Sequence, residues 1–156
     1  MSNLSVSVRS LLIPMVQEQI LLPNASLAEI VTYTEPRTLE HSPEWLLGML
    51  PWRGLDVPLV SFEVLQGGEK AETGKHSRIA ILNTLGGNAD LPFFAVVVQG
   101  IPHLVLANQS VVTALAEEKA EKEGVLSHVL IEAEPAIIPD LDRMESIILA
   151  EKSLFK

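Results

Sequence analysis

Short apolar stretches separated by polar turns recur along the whole chain. Residues 10–16 and 20–23 are two such stretches, and the residues between them, 17–19, are all polar. Two β-compatible stretches with a short polar connection predict a β-hairpin. The next apolar stretch, residues 30–34, is rich in β-branched side chains, which favour strands. The first part of the chain therefore predicts short, closely spaced strands.

A short helix and a second hairpin are predicted after these strands. Ser42–Pro43–Glu44 combines a hydroxyl cap, a proline at the first helical position and an acid in the first turn. A helix is therefore predicted to begin here, and Gly48 is predicted to end it. Strands are predicted at residues 49–50 and 57–62, on either side of a turn at Arg53–Gly54.

The second part of the chain repeats the alternation of strand and turn. Residues 66–77 are polar and rich in glycine, which predicts a loop. One helix is predicted over residues 110–123, and a closing helix over residues 141–153 that begins at Asp140 or Asp142. The strands predicted in this part are residues 78–85, 93–98, 102–106, 125–133 and 136–138.

The two parts of the chain resemble each other. Val16–Leu22 and Val98–Leu106 both read as an apolar strand, a turn that contains glutamine and a second apolar strand. A duplicated β-barrel would explain this pattern, because a barrel leaves no free sheet edges. We therefore expect one domain, residues 1–156, with halves at 10–65 and 78–140 joined by the glycine-rich loop.

Composition supports a folded protein with a reducing, aqueous environment. The apolar fraction is 47% and the mean hydropathy is +0.29, which supplies enough material for a core. No apolar run reaches the 18 residues of a membrane-spanning helix, and the first ten residues lack the pattern of a secretory signal. The chain has no cysteine, which suits the cytoplasm and excludes disulfides.

The net charge of −9 argues against two classes of partner. Nucleic acid and anionic membrane surfaces would be repelled on average, and the few basic residues are scattered. Aromatic residues make up only 4%, too few for a base-stacking platform. We therefore expect neither nucleic-acid binding nor direct insertion into a membrane.

No catalytic, cofactor-binding or metal-binding motif is found in the sequence. The four histidines lie far apart and match no ligand spacing. Gly68–Lys75 differs from a phosphate-binding loop in its spacing and is followed by His76 instead of serine or threonine. One alternative remains open, a small enzyme or ligand-binding barrel that uses His103, His128 or Asp140 in a pocket.

Trp52 is the strongest candidate for a protein-binding residue. It precedes Arg53 in a predicted turn, and tryptophan with arginine is a frequent hot-spot pair at interfaces. An equally simple interpretation is that Trp52 covers the mouth of a barrel. A third class, a module that grips proline-rich peptides, needs several groove aromatics, and the chain has one tyrosine, Tyr33.

Residues 42–65 resemble the CheW-like family, whose chains run from a short helix through a glycine and an Arg-Gly turn into a Val-Pro strand. Gly48, Arg53, Gly54 and Pro58 match that pattern. Weaker similarity extends over residues 20–31, 78–82, 99–100 and 125–149. Pro51–Trp52 and Ser61 depart from the usual residues, which suggests a divergent member, from a pilus-linked or alternative chemosensory system.

The resemblance implies a mainly β fold, two five-stranded SH3-like β-barrels with short helices around a shared apolar seam. It also implies a non-enzymatic adaptor that needs no cofactor and couples a methyl-accepting receptor to a CheA-type histidine kinase. Such a protein is cytoplasmic and is recruited to membrane receptor arrays.

The resemblance also implies which surfaces bind the partners. The groove that binds the receptor would include Leu27, Gly48 and Arg53, and the surface that binds the kinase would be a barrel end in the second half. Two structural alternatives stay open, Arg53 as a stabiliser of its turn and Gly48 as a helix stop.

Overall fold

The computed structural model describes residues 8–107, 112–114, 125–131 and 133–155. These residues form eleven strands and two α-helices, together with 3₁₀ turns at Asn24–Ser26 and Lys152–Leu154. The elements are β1 (Val8–Pro14), β2 (Gln19–Pro23), β3 (Leu27–Thr32), β4 (Leu46–Trp52), β5 (Leu55–Val60), α1 (Phe62–Leu65), β6 (Arg78–Asn83), β7 (Phe93–Val98), β8 (His103–Ala107), β9 (Val112–Ala114), β10 (Val125–Ile131), β11 (Glu134–Pro139) and α2 (Leu141–Leu149).

The strands form two sheets. The first sheet has the order β8-β1-β2-β11-β10-β9, and the second sheet has the order β3-β6-β7-β5-β4. The mainly β fold with two barrel-like sheets and short helices is thereby confirmed. The first sheet has a sixth, short strand, β9, because residues 112–114 pair with β10. These three residues were predicted to be helical, which is wrong; the rest of the predicted helix lies outside the described residues.

The two sheets do not correspond to the two sequential halves that the sequence suggested. Strands β1 and β2 lie at the N-terminal end of the chain, yet they belong to the first sheet, between β8 and β11. The second sheet is built from the middle of the chain, from β3 to β7. The halves 10–65 and 78–140 therefore do not coincide with the two sheets, because β1 also pairs with β8 and β2 also pairs with β11.

Alternation along the strands gives the molecule three apolar clusters. In β6, Ile79 and Ile81 join the inner cluster of the second sheet, whereas Ala80 and Leu82 point into a seam between the sheets. Because successive side chains of a strand face opposite sides, a strand that is apolar at every position is buried on both faces. In β1 the same rule places Leu12 in the inner cluster of the first sheet.

The apolar seam joins both sheets and the closing helix. Ile13 of the first sheet, Val60 and Phe94 of the second sheet, and Met144 and Ile148 of α2 belong to one cluster, and all five are at most 1% exposed. A side chain of this size contributes about 1.5–3 kcal/mol when fully buried. The seam therefore fixes the position of the two sheets and of α2.

Asp140, one of the two residues predicted to begin the closing helix, is its N-cap. The Asp140 side chain accepts a hydrogen bond from the backbone N–H of Arg143 at 3.0 Å, which is an N-cap. The helix ends at Leu149, and a 3₁₀ turn follows.

The helix predicted to begin at Ser42 is absent. The backbone N–H of Leu46 bonds the carbonyl of Pro43 at 3.0 Å, which makes one turn, and β4 begins at Leu46. The Ser42 hydroxyl donates to the carbonyls of Leu39 and Leu46 and caps no helix. The prediction of a helix is wrong because residues 46–50 gain more by pairing with β5 than by continuing the turn.

Candidate functional site

The turn between β4 and β5 carries two of the predicted binding residues. Trp52 pairs with Leu55, and Arg53 and Gly54 form the two-residue turn between them. Both have positive φ angles, 49° for Arg53 and 78° for Gly54, as a type I′ hairpin turn requires. A non-glycine residue with this φ costs on the order of 1 kcal/mol, so Arg53 occupies a strained position.

Glu29 on β3 binds both side chains of this turn. The Trp52 Nε1–H donates to Glu29 Oε1 at 2.9 Å, and Arg53 Nη2 donates to the same oxygen at 3.0 Å. The Arg53 guanidinium lies 4.7 Å from the centre of the Trp52 ring. Phe93 of β7 packs against Trp52 with ring centres 4.8 Å apart and planes at 67°. We call these four residues, Glu29, Trp52, Arg53 and Phe93, the Trp52 cluster.

The Trp52 cluster connects the two edge strands of the second sheet. Glu29 lies on β3 and Trp52 on β4, the two edge strands of that sheet. The hydrogen bond from Trp52 to Glu29 therefore joins opposite edges of the sheet, which are close to each other at this point. Trp52 packs against the inner cluster of the second sheet and remains partly accessible, so both of its interpretations stay open.

Arg53 is the most accessible member of the cluster. Its side chain is 67% exposed, and that of Glu29 is 38% exposed. An ion pair this exposed contributes at most about 1 kcal/mol to stability. A planar guanidinium stacked on tryptophan at the surface has the geometry that interfaces favour.

Gly48 has a structural role that differs from the one predicted. It lies inside β4 at a bulge, with φ +150°, where it ends no helix. A Cβ at this position would lie 2.3 Å from the carbonyl oxygen of Arg37. Arg37 forms two backbone hydrogen bonds with Met49, each 2.9 Å. The absence of a side chain at Gly48 therefore allows the backbone around Arg37 to pack directly against β4, where it covers Gly48.

Leu27 lies near the Trp52 cluster but faces another way. It begins β3 opposite Leu82, and a bulge separates it from Glu29. Its half-buried side chain packs against the seam. The structure thus joins Trp52 and Arg53 in one cluster, places Leu27 beside that cluster on β3, and places Gly48 beneath another segment.

The residues of the enzyme alternative are not brought together. His103 lies on β8 and His128 on β10, and three strands separate them in the first sheet. Asp140 caps α2. None of these three residues lines the large cavity of the described structure.

That cavity lies between the two sheets and was not expected from the sequence. It has a volume of about 660 Å³ and is bordered by the β1–β2 turn, by α1 and by the loop after α1. Glu63, Gln66 and Gln99 are among its polar lining residues. Burial raises the pKa of Glu63 above 4.5, although hydrogen bonds from the backbone N–H groups of Glu63 and Val16 oppose this shift. The only sign of this cavity in the sequence is the pair of glycines at 67–68, which follows the short, mainly apolar segment 62–65.

Ser61, which departs from the family pattern, has a clear role beside this cavity. It is 2% exposed, and its hydroxyl accepts a hydrogen bond from the backbone N–H of Val64 at 3.2 Å. Serine therefore caps α1, which carries Glu63 and ends at its C-cap residue, Gln66.

A second exposed surface lies on the edge of the first sheet. Leu104 and Leu106 project from the same face of edge strand β8 and are 61% and 56% exposed. Ile101, just before the strand, is 64% exposed. We call these three residues the β8 apolar edge. Adjacent exposed apolar side chains on an edge strand are typical of a contact surface.

Comparison with known proteins identifies the fold. The sequence model of the CheW-like domain matches residues 9–147. The crystal structure of the scaffolding protein TtCheW from Thermoanaerobacter tengcongensis superposes with a TM-score of 0.71 at 18% identity, over 87% of this chain and 90% of that chain. A search of curated proteins returned no significant match. In the part of the chain that the structure describes, no helix has the length and apolarity needed to cross a bilayer.

Proposed function

This chain belongs to the CheW-like domain family, and we propose that it is a chemosensory adaptor that couples a methyl-accepting receptor to a CheA-type histidine kinase. The observation that supports the proposal is that two exposed surfaces of a composition typical of protein contacts lie on different sheets. The Trp52 cluster lies on the second sheet and the β8 apolar edge on the first. An adaptor needs two such surfaces because it holds two partners at once. The adaptor acts in the cytoplasm and is recruited there to membrane receptor arrays.

The Trp52 cluster is the proposed receptor surface. Arg53 is 67% exposed and held against Trp52, so its guanidinium is oriented before a partner arrives. Preorganised arginine and tryptophan lose little side-chain entropy on binding. Leu27, half-buried on the neighbouring part of β3, would extend this surface with apolar contact. Gly48 contributes indirectly, by allowing β4 to take the path that places the turn.

The β8 apolar edge is the proposed kinase surface. Ile101, Leu104 and Leu106 offer apolar contact, and the outer edge of β8 is unpaired within the described sheet. Strand β8 belongs to the second half of the chain, where the resemblance implies kinase contact. Burying these three side chains against the regulatory domain of the kinase would remove apolar surface from water and so favour binding.

A pull-down with both partners tests the two surfaces separately. Arg53→Glu reverses the charge of the receptor surface, and we expect receptor retention to fall by about 30-fold, as for a hot-spot residue, while kinase retention is unchanged. Arg37→Glu is the matched control, because Arg37 also forms an exposed ion pair, with Asp56.

Leu104→Glu tests the other surface in the same experiment. A charge in the β8 apolar edge should abolish kinase retention and leave receptor retention intact, whereas Leu85→Glu, at an exposed leucine elsewhere, should change neither. Loss of both partners in a folded single variant, or loss of neither partner in both variants, would refute the two-surface adaptor.

A further inference from the structure

We propose that the cavity between the two sheets binds a small organic cation with a primary ammonium group, a short hydrocarbon body and one hydrogen-bond acceptor. The cavity volume of about 660 Å³ lies within the range of small-molecule sites. It is lined by Ile20 and Ile137 of the first sheet, by Phe62 and Glu63 of α1, and by Gln99, which directly follows β7. The inference does not depend on the proposed adaptor role, because the cavity residues lie in neither contact surface.

Unpaired polar atoms define the ligand. Three buried side-chain atoms lack a hydrogen-bond partner within the described protein, and all three belong to residues that line this cavity. They are Glu63 Oε1, Gln66 Oε1 and Gln99 Nε2, which are two acceptors and one donor. A buried polar atom without a partner costs about 1–3 kcal/mol. A ligand that donates two hydrogen bonds and accepts one would remove this cost.

Hydrogen bonds already engage the other polar atom of Glu63 and of Gln99. Glu63 Oε2 accepts a hydrogen bond from the backbone N–H of Val16 at 3.4 Å, so Oε1 is the oxygen that remains for another donor. Gln99 Oε1 accepts from the hydroxyl of Ser77 at 3.2 Å, so its amide nitrogen remains for another acceptor. The terminal torsions of glutamate and glutamine are broad, so binding would require only a rotation about them to turn these buried atoms toward the ligand.

The charge of the lining selects a cation. Glu18, Glu63, Glu69 and Glu72 line the cavity together with one lysine, Lys70. Burial raises the pKa of Glu63, and an ammonium group beside it would favour the charged carboxylate. A charge-assisted hydrogen bond is about twice as strong as a neutral one.

The floor of the cavity accounts for the hydrocarbon body. Met15, Ile20, Phe62 and Ile137 line it and are at most 9% exposed. The loop that forms the opposite wall is folded back over α1. The backbone N–H of Gly68 bonds the carbonyl of Glu63 at 2.8 Å, and a Cβ on Gly68 would lie 3.1 Å from that oxygen. Glycine thus allows the loop to approach closely enough to make a wall.

NMR titration of the ¹⁵N-labelled full chain tests the site with three compounds of similar length. Aminopentanol carries the ammonium and an acceptor, pentanediol replaces the ammonium by a hydroxyl, and hydroxypentanoate carries a negative charge. We expect aminopentanol to shift the amides of Val16 and Gln99 with a dissociation constant on the order of 1 mM. Pentanediol should bind at least about tenfold more weakly, and hydroxypentanoate should not bind.

Two variants and a control assign the contacts. Glu63→Gln should remove the preference for aminopentanol over pentanediol, whereas Glu44→Gln, at an exposed position outside the cavity, should keep it. Gln99→Leu should weaken aminopentanol by about fivefold but leave pentylamine, which has no acceptor, unchanged. Equal binding of amine and diol to the wild type, absence of shifts at Val16 and Gln99, or a preserved preference in a folded Glu63→Gln protein would overturn the proposal.

Discussion

At the scale of single residues, lack of space and partner geometry decide what each predicted binding residue does. Gly48 looked like a helix stop in the sequence. In the fold, glycine is required at this position because the Arg37 carbonyl occupies the space that a side chain would need. Arg53 looked like either a turn stabiliser or a binding residue. Its hydrogen bond to Glu29 supports a role in stabilising the turn, and its 67% exposed side chain is also accessible to a binding partner.

Gly48→Ala tests the requirement for space. The new Cβ would meet the Arg37 carbonyl at 2.3 Å, and φ +150° is unfavourable for alanine. We expect a loss of about 3 kcal/mol in the free energy of unfolding, measured by urea denaturation. Gly74→Ala is the control, because no heavy atom lies within 4 Å of its Cβ position, and its effect should stay within about 0.5 kcal/mol. Equal effects of the two substitutions would contradict this role of Gly48.

At the scale of elements, the closing helix α2 is attached by a buried carboxylate as well as by its apolar face. Glu145 is 5% exposed and accepts hydrogen bonds from the backbone N–H groups of Leu85 at 2.5 Å and Gly86 at 2.9 Å. A Cβ on Gly86 would lie 3.1 Å from this carboxylate, so glycine permits the approach. The helix thereby holds the loop between β6 and β7.

Glu145→Gln tests this attachment. The substitution turns one acceptor into an NH₂ donor that faces a backbone N–H, and we expect a loss of about 2 kcal/mol in the free energy of unfolding. Hydrogen exchange at the amides of Leu85 and Gly86 should become faster. Asp142→Asn, at an exposed position on the same helix, should leave this exchange unchanged. Unchanged protection at both amides in the Glu145 variant would show that the loop is held by other contacts.

At the scale of the whole molecule, the junction of the two sheets combines the apolar seam with a polar cavity. Glu63 lies at this junction and is partly buried, which raises its pKa above 4.5. The folded state therefore binds the Glu63 proton more tightly than the unfolded chain does. This carboxyl must destabilise the fold as pH rises from about 4.5 through its raised pKa.

The pH dependence of stability tests this expectation. Glu63→Gln removes the charge, so the variant should unfold at a higher temperature than the wild type near pH 7. The difference should disappear below about pH 4.5, where the Glu63 carboxyl is protonated in both states. Glu44→Gln, at an exposed position, should change stability by no more than about 0.5 kcal/mol at either pH. A wild-type protein that is more stable than Glu63→Gln at pH 7 would refute the assigned cause.

The sequence by itself determined most strand positions and the mainly β class. Runs such as 11–13 and 79–82 are apolar at every position, and the structure buries both of their faces. The capping aspartate of α2 and the Arg53–Gly54 turn were also readable, because both depend on neighbours within four residues. Local signals of this kind need no knowledge of distant partners.

Only the tertiary structure decided which strands pair and what lies between the sheets. The pairing of β2 with β11, the contact from Glu29 to Trp52 and the cavity at Glu63 join residues that are distant in the chain. Periodicity tells which face of a strand is apolar, but several partners can cover that face equally well. The choice among them depends on the free energy of burying all faces together, which no single segment contains.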